Sequence, residues 1–201
     1  MVRLAAERGH DVTAVVREGT DFVTPAGVRV VRGSVLDRAL LAPLIDEHDT
    51  VLSGLGLRRA SIQPWSRLLS PPDLVEQVHR TLVACPASAS LRRIIWISAG
   101  GVGESIRQVS APVRCLIRAG SIGRAYQDLE SAEEVLARSE LRALAVRPVT
   151  LTPGRPTGRA ATVDRYGLLS RVRRADVARW MVDVADGTLS HPAATVLLGR
   201  R

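Results

Sequence analysis

The stretch Arg93-Ile94-Ile95-Trp96-Ile97-Ser98-Ala99-Gly100-Gly101-Val102-Gly103 decides the fold. Ile94 to Ile97 run apolar without alternation, the pattern of a strand covered on both faces, and such strands belong to parallel sheets sandwiched between helices. Ser98 and the glycines behind it mark the carboxyl end of the strand, where the chain turns into a loop.

Working outward, short apolar runs alternate with amphipathic stretches, as crossover connections between parallel strands require. Val2–Arg8 reads as the end of a helix stopped by Gly9. Asp11–Arg17 and Val28–Val31 read as strands, and Thr50–Ser53 as another that ends in Gly54-Leu55-Gly56. Asp37 is expected to cap a helix through Glu47. Residues 57–72 are polar and proline-bearing and are expected to be a loop. Asp73–Val83 carries Leu74, Val75, Val78 and Leu82 at helical spacing. Beyond the central strand come a helix over Gln127–Ser139, a strand over Arg142–Arg147, a proline-bearing loop over Pro148–Gly158, a helix capped by Asp176 through Val184, and a last strand over Thr195–Leu198. No internal repeat or domain boundary shows, so residues 1–201 are expected to form one domain.

Composition narrows the function. Hydrophobic residues make up 46% and charged residues 24%, the balance of a soluble globular chain. No apolar run approaches the ~18 residues of a membrane span, and Glu7 and Arg8 interrupt what a signal peptide would keep apolar. Cys85 and Cys115 lack metal-ligand spacing and are expected to be free thiols in a reducing cytoplasm. The net charge of +8 invites a nucleic-acid reading, but the arginines are scattered and aromatics are only 3%, too few for a stacking platform. All 28 basic residues are arginine, which excludes any chemistry that needs a lysine. The dispersed histidines (His10, His48, His79, His191) form no metal signature, and no nucleophile-elbow, zinc-protease or phosphate-loop motif occurs.

The order of the pieces resembles a known family. Gly9-His10-Asp11-Val12-Thr13-Ala14-Val15-Val16-Arg17 is similar to the second strand of NmrA-like atypical short-chain dehydrogenases, and Gly33-Ser34-Val35-Leu36-Asp37 to their Gly-Asp-Val-x-Asp turn. Leu52-Ser53-Gly54-Leu55-Gly56 resembles the end of strand four, and Arg93–Ser98 strand five. Glu133-x-x-Leu136-x-x-Ser139-x-Leu141, then Val146-Arg147-Pro148, resembles the helix and strand before the substrate loop. Arg174-Ala175-Asp176-Val177-Ala178 resembles the start of the helix that closes the fold. Pro156-Thr157-Gly158 is shared with the flavin reductase/biliverdin-IXβ reductase type. The resemblance implies a Rossmann-like, doubly wound α/β domain that binds NAD(P). It also implies a departure: Met1 falls inside the first helix, so the first strand and its glycine-rich loop, about 15–20 residues, are absent. The expected strand order then has a gap between the strands at 12–16 and 51–53. A start lying upstream is the favoured account; a second chain in the gap and a decayed gene product are the alternatives.

The resemblance also nominates a site. Arg17 ends the second strand, where an arginine pairs with a 2′-phosphate, so NADP is expected over NAD. Asp37 and Leu36 are implied at the adenine, and Gly54, Leu55 and Gly56 where backbone passes the cofactor. Ser98, Ala99, Pro148, Val149 and Thr150 are implied at the nicotinamide and acceptor. Ser98 and Tyr126 are the catalytic candidates. Tyr126 has Glu130, not lysine, four residues on, and a carboxylate there would raise its pKa, making it a poor acid. The leading expectation is an NADPH-dependent oxidoreductase that hands hydride to a small planar acceptor such as a flavin or quinone. A non-catalytic NADP sensor and an inert fragment are the competing readings. A homodimer is left open.

Overall fold

The structure, a computed structural model, describes all residues except 62, 64, 65, 86–90, 119, 192, 193 and 201. The chain runs α1 (Val2–Glu7), β1 (Val12–Val16), β2 (Val28–Arg32), α2 (Arg38–Glu47), β3 (Thr50–Ser53), α3 (Leu74–Ala84) and β4 (Arg93–Ile97). A 3-10 turn (Gly103–Gln108), α4 (Ala111–Ile117), α5 (Gly120–Ala137) and β5 (Arg142–Pro148) follow. Then come β6 (Thr150–Thr152), β7 (Ala160–Thr162), β8 (Arg171–Arg173), α6 (Arg174–Ala185) and β9 (Thr195–Arg200).

The architecture is the Rossmann-like α/β fold expected, with parallel strands flanked by helices. Its main sheet has the order β3-β4-β5-β9-β7, parallel except where β7 pairs antiparallel with β9. β1 and β2 pair parallel in a sheet of their own. Among the described residues β1 is thus hydrogen-bonded on one side only, and so is β3, the gap anticipated between them. Val15 of β1 and Val51 of β3 nevertheless pack on the same cluster. That cluster lies under α2, α3 and α5, with Leu41, Val75, Val78, Leu136 and Trp96 at its centre. The opposite face of the main sheet packs Ile95, Val146 and Leu198 against Val177, Trp180 and Met181 of α6. Burying one large aliphatic side chain contributes roughly 1.5–3 kcal/mol, so these two cores hold the strands whose ends build the site.

Several expectations need correction. The stretch Pro148–Gly158 is not wholly a loop: β5 continues through Pro148, and β6 follows and pairs with β8. Proline is tolerated at a strand end because its missing N–H breaks no interior ladder. Residues 57–72 contain an antiparallel bridge, Arg59 with Leu68. Asp176 does not cap α6; the cap position is Arg173, where β8 runs straight into the helix. The Asp176 carboxylate instead accepts from the backbone N–H of Thr157 and Gly158 and from the Thr157 hydroxyl, at 2.6, 2.9 and 2.7 Å. Asp37 does cap α2, accepting from the N–H of Ala39 and Leu40.

Candidate functional site

Ligands of open α/β sheets collect at the carboxyl ends of the strands, and the nominated residues fall there in two groups. The first surrounds the ends of β1, β2 and β3. Arg17, next after β1, is exposed, and among the described residues it has no ion pair, not even with neighbouring Glu18. The turn after β2 is tied to it, since the Gly33 N–H donates to Val16 C=O at 3.0 Å. Asp37 uses one carboxylate oxygen, Oδ1, for both of its capping bonds. Leu36 and Leu55 rest on the same core cluster, so each offers an apolar side wall on that face of the layer. Of the two glycines after β3, Gly54 is the crowded one: a Cβ there would come within 2.9 Å of the Met1 side chain. Gly56 faces open space.

The second group sits at the ends of β4 and β5. Ser98 is buried, and its hydroxyl donates to Glu133 Oε1 at 2.6 Å. The Tyr126 hydroxyl donates to the Gly100 carbonyl at 3.1 Å. Burial, with a smaller contribution from Tyr166, raises its pKa further from neutrality. Glu130 is thus not the cause that the sequence suggested. Gly100 donates to the Pro148 carbonyl, which joins the loop after β4 to the end of β5. Gly100 and Gly101 are glycines for packing: a Cβ on Gly101 would meet Ile117 at 2.7 Å, and its φ is +104°. Val149 is buried in the core and uses its N–H on Leu198 C=O, which leaves only its carbonyl to face a ligand. Thr150 is exposed, and its hydroxyl lies 3.0 Å from the hydroxyl of Tyr166. Ala99 lies between Ser98 and Gly100, half-buried.

Beneath this second group lies a charge cluster that the sequence did not single out as functional. Arg147, on β5, is 3% exposed and bonds both Glu133 of α5 and Glu104 of the 3-10 turn. Burial works against its charge, but the two carboxylates more than offset that and hold its pKa above the ordinary value. Arg147 in turn holds Glu104 below the usual carboxylate range. Ser98, Glu133, Arg147 and Glu104 therefore form one chain of bonds from the end of β4 to the loop beyond it. Tyr166, partner of Thr150, was also missed; an isolated tyrosine in a loop gives no pattern to read. An open groove of about 1120 Å³ runs beside α5 and touches this group at Glu104, Glu133 and Arg147. Its lining includes neither Arg17 nor Gly54.

Parallel strands between helices, with small and polar residues gathered at the strands' carboxyl ends, define a nucleotide-binding α/β domain. The sequence of residues 1–188 matches the NAD(P)H-binding family, and the chain belongs to it. It is similar in structure to ChuY, an anaerobilin reductase from Escherichia coli O157:H7, at 24% identity and TM-score 0.70, over 97% of this chain and 87% of that one. A short-chain dehydrogenase/reductase from Veillonella parvula, solved with NADP, is similar at 13% identity and TM-score 0.69, over 99% and 88%. SP1627 from Streptococcus pneumoniae, proposed to be an NADH-flavin reductase, is similar at 17% identity and TM-score 0.68, over 100% and 92%. No curated protein matches the sequence. Among the described residues no helix is long and apolar enough to cross a membrane.

Proposed function

We propose that this chain is an NADPH-dependent oxidoreductase that passes hydride to a small planar acceptor. The observation that supports the reading is that Arg17, Asp37, Leu55 and Ser98 each follow the carboxyl end of a parallel strand, β1, β2, β3 and β4 in turn. Arg17, with no carboxylate partner, suits a 2′-phosphate, whereas NAD would favour an acid there. The free oxygen of Asp37 and the Leu36 and Leu55 walls suit an adenosine. Ala99, Thr150 and the Val149 carbonyl suit the nicotinamide end. When bound, NADPH would supply the hydride, and the protein would orient it. The similarities to an anaerobilin reductase and to a protein proposed to be an NADH-flavin reductase support the planar acceptor, and the similarity to an NADP complex supports the cofactor.

One observation favours the non-catalytic NADP-sensor reading. Both hydroxyls nominated as catalytic are already donating, Ser98 to Glu133 and Tyr126 to Gly100. A flavin or quinone can draw its proton from water, so the leading reading survives, but a reaction needing a side-chain acid would not suit this site. The test is a titration with NADPH and then NADH, followed by Trp96 fluorescence, with acceptor turnover measured afterwards. Micromolar binding with NADPH preferred, and turnover, are expected. Binding without turnover on any flavin or quinone supports the sensor instead.

A further inference from the structure

Four side-chain hydroxyls gather where β4 and β5 end, and two of them are spent. Ser98 donates to Glu133, and Tyr126 donates to the Gly100 carbonyl. Thr150 and Tyr166 differ: they bond each other at 3.0 Å, and neither side chain makes a second hydrogen bond among the described residues. Two hydroxyls that share one bond use one O–H and leave the other free. A phenol is the better donor and an alcohol oxygen the better acceptor. Tyr166 therefore donates to Thr150 Oγ1, and the Thr150 O–H is the one left to face a ligand.

Tyr166 is pinned from several directions. Its ring lies on the loop after β4, where a Cβ on Gly100 would come within 3.0 Å of it. It packs with Val109, Val113, Ile117 and Tyr126. Its N–H donates to Gln108 C=O, and its C=O accepts from Ser110 N–H, both at 2.9 Å. A residue in a loop is thus fastened before and behind, with its hydroxyl held on Thr150. A hydroxyl that accepts a hydrogen bond donates more strongly, and a donor fixed in advance costs no reorganisation when charge develops beside it. The placing also separates two roles at the end of β5. Val149 is 2% exposed and has only its carbonyl to offer, whereas Thr150 is exposed. An acceptor reaches the nicotinamide from the solvent side, so the buried carbonyl falls to the cofactor and the exposed hydroxyl to the acceptor.

We infer that Thr150 is a catalytic residue whose O–H donates to a conjugated carbonyl oxygen of the acceptor, and that Tyr166 is the positioning residue that aims and polarises it. The acceptor takes up hydride, two electrons and one hydrogen, as NADPH becomes NADP, and negative charge gathers on that oxygen. The Thr150 hydrogen bond stabilises the charge, Thr150 keeps its own proton, and water supplies the proton that completes the reduced acceptor. This rests on the oxidoreductase reading above and adds the group that makes the acceptor electrophilic.

The experiment reads single-turnover oxidation of NADPH by the purified full chain with saturating menadione or riboflavin, both of which carry conjugated carbonyls. The faster acceptor is used for the variants, with NADPH affinity measured alongside and circular dichroism confirming the fold. Thr150→Val, and Thr150→Ala as a second variant without the hydroxyl, should slow hydride transfer about tenfold or more. Thr150→Ser should stay within about threefold of the native rate, and NADPH affinity within about twofold in every variant. Tyr166→Phe keeps the ring and should slow transfer about threefold in the native chain. On the Thr150→Val background it should do nothing further, because no hydroxyl remains to be polarised. A native rate in Thr150→Val and Thr150→Ala overturns the inference and leaves the oxidoreductase reading standing. So does a loss of NADPH affinity that matches the loss of rate, which would assign the hydroxyl to the nicotinamide. So does a Tyr166→Phe effect of equal size on both backgrounds, the mark of a merely structural tyrosine. A native chain that oxidises NADPH with neither acceptor overturns the oxidoreductase reading and this inference together.

Discussion

β5 and β1 are both parallel strands, yet they sit at opposite extremes of the molecule. β5 is paired on both sides and buries every residue from Leu144 to Pro148. β1 is paired on one side and buries Ala14 alone. The ends of β4 and β5 are further fastened by the Arg147 cluster, whereas β2 is held to its surroundings by the exposed pair Arg29–Glu47. The strands with few buried contacts are the ones expected to open first. Stability is thus concentrated on the side that would meet the nicotinamide and acceptor, and the side that would read the adenosine is the yielding one.

Substitutions can break or sharpen that contrast. The largest effect is expected at Arg147. Arg147→Met leaves Glu133 and Glu104 without their cation and should cost about 3–5 kcal/mol in urea unfolding; a loss under ~1 kcal/mol would erase the difference between the two sides. Next comes His79, fully buried, stacked edge-on against Trp96 at 4.5 Å, with no hydrogen bond to either ring nitrogen among the described residues. Burial lowers its pKa to about 4, whereas in the unfolded chain it titrates near ~6.5. As pH falls the unfolded chain takes up the proton first, so stability is full above ~6.5 and declines by roughly 3 kcal/mol toward pH 4. The pH slope in that window should shrink in His79→Leu, measured by denaturation across the range. Third, on the yielding side, Arg17→Glu should cut the preference for NADPH over NADH by about tenfold or more while moving the melting point little; an unchanged cofactor ratio would remove Arg17 from the site. The smallest effect belongs to Arg29→Ala, whose ion pair is half exposed and should be worth at most ~1 kcal/mol. A larger loss there would mean that β1 and β2 are better anchored than their burial suggests.

The same contrast explains what could be read beforehand. β4 was legible because its unbroken apolar run admits one interpretation, and α3 because Leu74, Val75, Val78 and Leu82 keep helical spacing. The short β6, β7 and β8 exist through partners distant in sequence, as when Thr150–Thr152 pairs with Arg171–Arg173, and no local pattern announces them. The placing of Arg17, Leu55 and Ser98 just past strand ends was readable because it follows from the strands themselves. The Arg147 cluster was not, although Glu133 and Arg147 both stand in the stretches that carry the family resemblance. Only the packing of α5 on β5 shows that their charges meet. Asp176 misled for the opposite reason, since an aspartate in a helix's first turn has a ready local explanation that its real partners, Thr157 and Gly158, displaced.

That clamp has a practical consequence. Because the chain's basic residues are all arginine and spread along its length, trypsin has targets from one end to the other, and limited digestion becomes a map of where the backbone yields. Thr157 and Gly158 are exposed, yet they are fastened to a buried carboxylate. The bond after Arg159, one residue past the clamp, should survive when those after Arg17 and Arg32 are already cut. Exposure alone would rank these sites together, and the order of nicking separates what is merely on the surface from what is free to leave it.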